Sequence, residues 1–268
     1  MSTKLGEYID PVFTRLLNSG FDPTPRMLRL PGFASQCAVC HSWPAQPVCT
    51  DCVARFSKPQ RRCSTCALSL PADLSQGLRT PPTQCAACLQ QPPGLDAALA
   101  GLPYAYPWST LIARFKFGDQ PAWAHFFARL LLNAPGVQQA LNELQSHDLV
   151  IPMPLSAERL QTRGFNQAWE LARALTRQSQ TLARSDARLL LRLKHTRPQS
   201  QLKREARLSN VKGAFQVDAL RANELKDRQV LLVDDVMTSG ASLLAAAHAL
   251  REAGAAHVTA VVLARTEQ

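Results

Sequence analysis

From residue 93 onward the apolar residues alternate between two spacings, one suited to strands and one to helices. Val230 to Val233 form a four-residue apolar run, too short for a lone helix and rich enough in branched side chains for a strand buried on both faces. After a short polar turn, Leu243, Leu244, Ala247 and Leu250 recur at helical spacing up to Ala253, and Gly254 closes that helix as a C′ residue. His257 to Ala264 resumes as a second apolar strand, which makes a βαβ unit. Upstream, Leu99 to Tyr106 reads as a first strand ended by Pro107. Leu111 to Phe117 and Ala122 to Leu132 read as helices that turn Phe115, Trp123, Phe126, Phe127 and Leu130 toward a core. Asp148 to Met153 is a further strand, whose Pro152 and Pro154 place its end at a sheet edge or terminus. Arg188 to Lys194 alternates as an amphipathic strand with Leu189, Leu191 and Leu193 on one face, Val211 to Val217 returns as a strand, and Arg221 to Arg228 turns into Val230. Strands alternating with helices predict an α/β fold, a parallel sheet flanked by helices, over residues 93–268.

The first third of the chain has neither spacing. Residues 1–34 predict one short helix, with Asp10 as N-cap, Pro11 at N1, an apolar stripe of Val12, Phe13, Leu16 and Leu17, and Gly20 past its end. A docking helix and a partly disordered extension both fit this N-terminal extension. All eight cysteines follow in residues 35–92, as four pairs of Cys-x-x-Cys spacing. Each pair can grip one tetrahedral ion from a tight turn, so the eight predict two structural Zn²⁺ in a double zinc ribbon. Sequential ligation takes Cys37, Cys40, Cys49 and Cys52 for one ion and Cys63, Cys66, Cys85 and Cys88 for the other; an interleaved cross-brace and a redox use of the thiols are the alternatives. The intervening Pro, Gln and Ala cannot build a core, so metal binding energy of ~10 to 16 kcal/mol per site stands in for it. His41 reads as a bystander beside Cys40.

Composition narrows the classes. The 268 residues, 46% of them hydrophobic, suit one α/β domain and a small module. No apolar stretch approaches the ~18 residues of a membrane span, and Lys4, Glu7 and Asp10 interrupt any signal-peptide core, so a cytoplasmic location is expected. A net charge of +10 favours an anionic partner, nucleic acid or polyphosphate, although an arginine-rich solvated surface gives the same count. The basic residues are densest at 184–212, with Arg184, Arg188, Arg192, Lys194, Arg197, Lys203, Arg204, Arg207 and Lys212 against Asp186 and Glu205. Within it, 195–208 lacks periodicity and reads as a long loop, either a phosphate-contacting lid or a solvated charge run.

The candidate chemistry lies in the turn between Val233 and Leu243. N–H groups in a turn of small residues at a helix N-terminus lack intrahelical partners and sit at the positive end of the dipole, so Thr238, Ser239, Gly240, Ala241 and Ser242 predict a phosphate cradle. Asp234 and Asp235 precede it, and two like charges ~5 Å apart at an effective dielectric of ~20 repel by roughly 3 kcal/mol. Vicinal ribose hydroxyls or a hydrated Mg²⁺ would compensate them, and a phosphate on the turn with a diol on the acids describes a ribose 5-phosphate. Arg159, Arg163, Gly164, Phe165, Asn166 and Gln167 open a helix running to about Arg177. With Asn166 as N-cap they form a second anion site of the same construction. In a parallel sheet both sites open at the carboxyl ends of strands. Phe165 and Trp169 read as core at this spacing, although exposed rings could stack bases.

Val230 to Ser242 resembles the thirteen-residue signature of the type I phosphoribosyltransferases, which bind 5-phosphoribosyl 1-pyrophosphate (PRPP), in its orotate-type form. The four cysteine pairs, Leu111 to Gly118, Ile151 to Gln167, Arg197 to Phe215 and Val230 to Ser242 together resemble the ComF family, which joins a cysteine zinc module to a phosphoribosyltransferase fold. The likeness implies a role in natural competence, the uptake of single-stranded DNA, with competence-machinery proteins as partners. It places the ribose hydroxyls and Mg²⁺ on Asp234 and Asp235, the 5-phosphate on Thr238 to Ser242, and the pyrophosphate on Pro152 to Gln167. Lys116, alone an ordinary surface lysine, joins the binding residues through its matching stretch. Two readings follow. As a binding protein, the pocket holds PRPP while the zinc module and basic loop grip single-stranded DNA. As a transferase, Arg163 or the basic loop stabilises departing pyrophosphate as a base or amine attacks, yet no general base is evident, since Thr238 stands where purine-type relatives place an aspartate.

Overall fold

Five parallel strands carry the molecule, in the order β1, β7, β6, β2, β3, and the cysteine module closes over the β1 side. The computed structural model describes residues 35–43, 46–71, 83–193 and 213–267. The N-terminal helix expected over 1–34 and the basic loop with Lys203, Arg204 and Arg207 lie outside the described residues. In chain order the elements are α1 (Thr50–Phe56), α2 (Ala86–Gln90), β1 (Ala97–Pro103), α3 (Trp108–Phe117), α4 (Trp123–Leu132), α5 (Val137–Glu143), β2 (Leu149–Pro152), α6 (Ala157–Arg163) and α7 (Gln167–Ser179). The short strands β3 (Arg184–Ser185), β4 (Leu190–Arg192) and β5 (Phe215–Val217) follow, then β6 (Gln229–Met237), α8 (Ala241–Glu252) and β7 (His257–Arg265).

The run Val230 to Val233 is buried throughout because helices cover both faces of the sheet. Alternation sends Leu231 and Val233 into a core with Trp108, Phe115, Phe127 and Leu171, and Val230 and Leu232 into a second core with Ala246, Leu250 and Leu190. β6, α8 and β7 form the expected βαβ unit, with Val230 paired to Val258 and Val233 to Val261. The two halves of the cysteine module divide between the faces. Cys37, Val48 and Cys52 join the first core, where Trp108 Nε1 donates to the Phe56 carbonyl at 2.8 Å. Ala67 joins the second, and the Ala98 N–H donates to the Ser64 carbonyl at 2.8 Å.

Of the two alternatives for Pro152, the structure has the terminus: it is the last residue of β2, an interior strand between β6 and β3. Two expectations need correction. β6 does not end at the acids: pairing continues through Asp234 with Val262, Val236 with Ala264 and Met237 with Arg265, because β7 is long enough to keep offering partners. On β4 the buried residue is Leu190, beside Leu189, while Leu191 and Leu193 are exposed; β4 forms a separate antiparallel pair with β5, and its Arg192 lies on the same side as Leu190. Phe127 lies wholly buried among Phe115, Trp123 and Phe126, with ring centroids 5.4 to 5.9 Å apart. Phe127→Ala is expected to lower the unfolding free energy by roughly 3 to 5 kcal/mol in urea titration, and a loss below about 1 kcal/mol would contradict this packing.

Candidate functional site

Asp234 and Asp235 occupy the carboxyl end of β6 on opposite faces of the sheet. Asp235 follows Leu231 and Val233 to the face covered by α3, where Lys116, in the last turn of that helix, brings Nζ to 3.0 Å from Oδ1. Both side chains are largely buried, and the second oxygen, Oδ2, is buried with no hydrogen-bond partner. Asp234 turns to the other face, and its Oδ1 accepts from the N–H of Asp235 at 2.8 Å. Burial first, and then the charge of Asp235, push its carboxyl up to about 7, against the pull of Lys116 and Arg192. The repulsion expected between the acids is therefore met partly by the protein: Lys116 neutralises one acid, and the other takes up a proton more readily.

The turn that follows is shaped by Gly240. Its φ of +79° is left-handed, a conformation that favours glycine, and a Cβ there would press on the terminal methyl of Met237 at 2.6 Å. α8 begins at the next residue and aims its first turn at the cleft. Thr238, Gly240 and Ser242 line that cleft. Ser239 and Ala241 do not: the Ser239 hydroxyl turns back to accept from the Ala241 N–H at 3.4 Å, and Ala241 is buried under the helix.

Across the cleft stand Arg159 and Arg163 of α6 and Gln167 of α7. Arg163 lies over the Phe117 ring at 4.8 Å. Burial pushes its guanidinium down from the ordinary value, and the charge of Arg159 adds to this against the attraction of Asp235 and Asp234. Gln167 is 4% exposed and its Oε1 has no partner. Asn166 caps α7 as expected, its Oδ1 accepting from Ala168 and Trp169 N–H and its Nδ2 donating to the Met153 carbonyl. Engaged in this way, it does not line the cleft. Two polar lining residues escaped the sequence reading as site residues. Arg192 enters from β4, over the Phe215 ring at 5.3 Å, and is shifted down by burial and by Arg159. Tyr104 follows the end of β1 and carries no signal in the sequence. The cleft holds about 310 Å³, within the ordinary size of a small-molecule site.

The eight cysteines gather into two tetrads in sequential order, Cys37, Cys40, Cys49, Cys52 and Cys63, Cys66, Cys85, Cys88, with the sulfurs of each within 4.8 Å of one another. Cys40 and Cys49 sulfurs are 3.6 Å apart, and those of Cys66 and Cys85 3.7 Å, close to the separation that four Zn–S bonds of ~2.3 Å impose. The N–H groups of Val39 and Cys49 donate to the Cys37 sulfur, and that of Cys85 to Cys63. Burial opposes ionisation, yet such donors bring Cys37 down to about 6 and Cys63 to about 7. Four sulfur ligands with backbone donors fit a closed site, so each tetrad can hold one zinc ion.

A phosphoribosyl transferase domain model matches residues 161–268. The chain is 36% identical over 181 residues to competence protein F of Haemophilus influenzae, covering 68% of this chain and 78% of that protein. It is 31% identical over 240 residues to DNA utilization protein YhgH of Escherichia coli O6:H1, covering 90% of this chain and 100% of the relative. Competence protein ComFC of Bacillus subtilis matches at 36% over 121 residues, 45% of each chain.

Because its pKa is raised, protonated Asp234 favours the fold: that contribution is fully present below the usual carboxylate range near 4 and is lost as pH rises through about 7. The carboxyl ¹³C resonance of Asp234 is expected to titrate near neutrality, moving lower in Asp235→Asn and higher in Lys116→Met. A wild-type midpoint near 4 would contradict this arrangement.

Proposed function

The chain belongs to the ComF family, and from that premise we propose that it binds PRPP in the cleft beneath β6 and serves DNA uptake by binding single-stranded DNA. The observation that carries the first half is the pair of buried, unpartnered oxygens, Asp235 Oδ2 and Gln167 Oε1, in a cleft whose polar wall also holds an anion cradle, three arginines, Lys116, Asp234 and Tyr104. Buried oxygens without donors cost about 1 to 3 kcal/mol each, which a ligand's hydroxyls or a cation's hydration shell would recover. The Thr238 to Ser242 turn would take the 5-phosphate, the acids the ribose hydroxyls, and Arg159, Arg163 and Arg192 the pyrophosphate. Asp234 and Asp235 would hold Mg²⁺, which supplies neutralising charge to the pyrophosphate when bound. Lys116 limits the pair to one uncompensated carboxylate, so the cleft suits a single hydrated cation and not a dense metal cluster.

The second half is supported by the names of the relatives, competence protein F and DNA utilization protein, and by the net charge of +10. Zinc in both tetrads, competence proteins as partners and a cytoplasmic location belong to the same reading. No helix among the described residues is long and apolar enough to cross a membrane. Transfer to a base or amine is the second reading, favoured by the crowding of Arg159, Arg163 and Arg192, where charge on a leaving pyrophosphate would gather.

Asp234→Ala with Asp235→Ala is expected to abolish PRPP binding in calorimetry with Mg²⁺, and Asp234→Asn alone to weaken it; unchanged affinity in both would refute the site. Single-stranded DNA affinity is expected to fall steeply with salt. Neutralising Lys203, Arg204 and Arg207 together should flatten the log–log slope by about 2, at roughly 0.7 per phosphate contact. An unaltered slope would remove the basic loop from the DNA site.

A further inference from the structure

Arg265, the last residue of β7, is 3% exposed, and its guanidinium lies among backbone carbonyls. Nε donates to the Cys66 carbonyl at 3.0 Å. Nη1 donates to the carbonyls of Met237 at 3.1 Å, Thr266 at 2.8 Å and Thr238. One side chain thus touches the second cysteine tetrad and the first residues of the phosphate turn.

Side-chain packing leaves an opening behind that turn. A cavity of about 710 Å³ separates it from the second tetrad, lined by Thr65, Cys66, Cys85, Met237, Ser239 and Arg265 among others. The guanidinium spans this gap. A trans peptide is planar, with its C=O and the following N–H antiparallel. Holding the carbonyls of Met237 and Thr238 against Arg265 therefore aims the N–H groups of Thr238 and Ser239 the opposite way. The tetrad's own position is set against β7. Glu267 accepts from the N–H and hydroxyl of Ser69 at 3.2 and 2.7 Å and from Arg62 at 3.0 Å. Among the described residues around the sulfurs, however, the buried cluster is small, Cys63, Leu70 and Cys88, so a bound ion would do the work of a core.

We propose that Arg265 is a positioning residue that makes anion affinity at the Thr238–Ser242 turn depend on metal bound in the second tetrad. The coupling rests on the phosphoribosyl-binding reading of the cleft. Without the ion the Cys66 carbonyl leaves its place, buried N–H donors of Arg265 lose their partner, and the Thr238 peptide plane loses a contact that orients it, while the Met237 carbonyl stays held by the Thr266 N–H at 3.1 Å.

The test uses the full chain loaded with zinc and ribose 5-phosphate as the probe in calorimetry. Arg265→Gln is expected to retain two zinc ions by metal analysis and to weaken binding about tenfold, within the ordinary range of coupling between sites. Arg265→Lys, which keeps the charge without the fork, should restore only part of the affinity. Cys85→Ser should weaken binding by a similar factor, and should add nothing when combined with Arg265→Gln. Arg129→Gln, which breaks the 2.7 Å contact to Gln46 beside the first tetrad and the stacking on Phe126, should leave affinity unchanged. Amide exchange over 238–242 should quicken in Arg265→Gln and, in the wild type, after chelation of zinc. Additive losses in the double variant, full affinity in zinc-loaded Arg265→Gln, or exchange indifferent to zinc would each overturn the coupling. Should Arg265→Gln fail to fold, the wild-type exchange measurement decides alone. Absence of wild-type binding sinks the cleft reading and the coupling together, whereas binding indifferent to Arg265 and to zinc sinks the coupling alone.

Discussion

Two acids on consecutive residues of an extended strand leave the backbone toward opposite faces and so pack against different neighbours, even where both reach one cleft. At the carboxyl end of β6 this constraint gives Asp235 a buried lysine and leaves Asp234 facing the arginine of a separate hairpin. Had the strand stopped before the acids, both could have turned toward solvent. Pairing with β7 through Met237 prevents it. The resulting site is electrically lopsided: one acid is compensated, one is held near neutrality, and Arg159, Arg163 and Arg192 crowd the opposite side.

The turn is constrained from two directions. Gly240 suits the turn because its φ of +79° is left-handed, and the turn follows directly on Met237, the last residue of β6, which pairs with Arg265. The cradle therefore inherits its geometry from the sheet and not from the loop's own residues. This explains why Ser239 and Ala241, which belong to the same short motif, take no part in lining the cleft.

Features written in local spacing were legible in the sequence. The β6–α8–β7 unit, the cap at Asn166 and the grouping of the cysteines each depend on residues a few positions apart, and the structure places them as that spacing implies. What required coordinates depends on tertiary neighbours. Lys116 looks like any helix-end lysine until α3 is laid over β6. Arg192 was visible as part of a basic stretch, but its direction hinged on which leucines of β4 are buried, and the hairpin reversed that face because Leu190 packs inward. Tyr104 reaches the cleft only through the pairing of β1 with β7, a long-range choice with no local mark. Asn166 shows the converse: its motif was read correctly as a cap, and capping is what turns its side chain from the cleft.

The contact between Ala98 and Ser64 has one more consequence. β1 ends the sheet on one side, and its outward N–H groups form the kind of open rim that recruits foreign strands. Ser64, held between Cys63 and Cys66, covers part of that rim. Loosening of this module would therefore uncover open backbone along β1 as well as lose a folded unit, and the exposed rim would favour self-association.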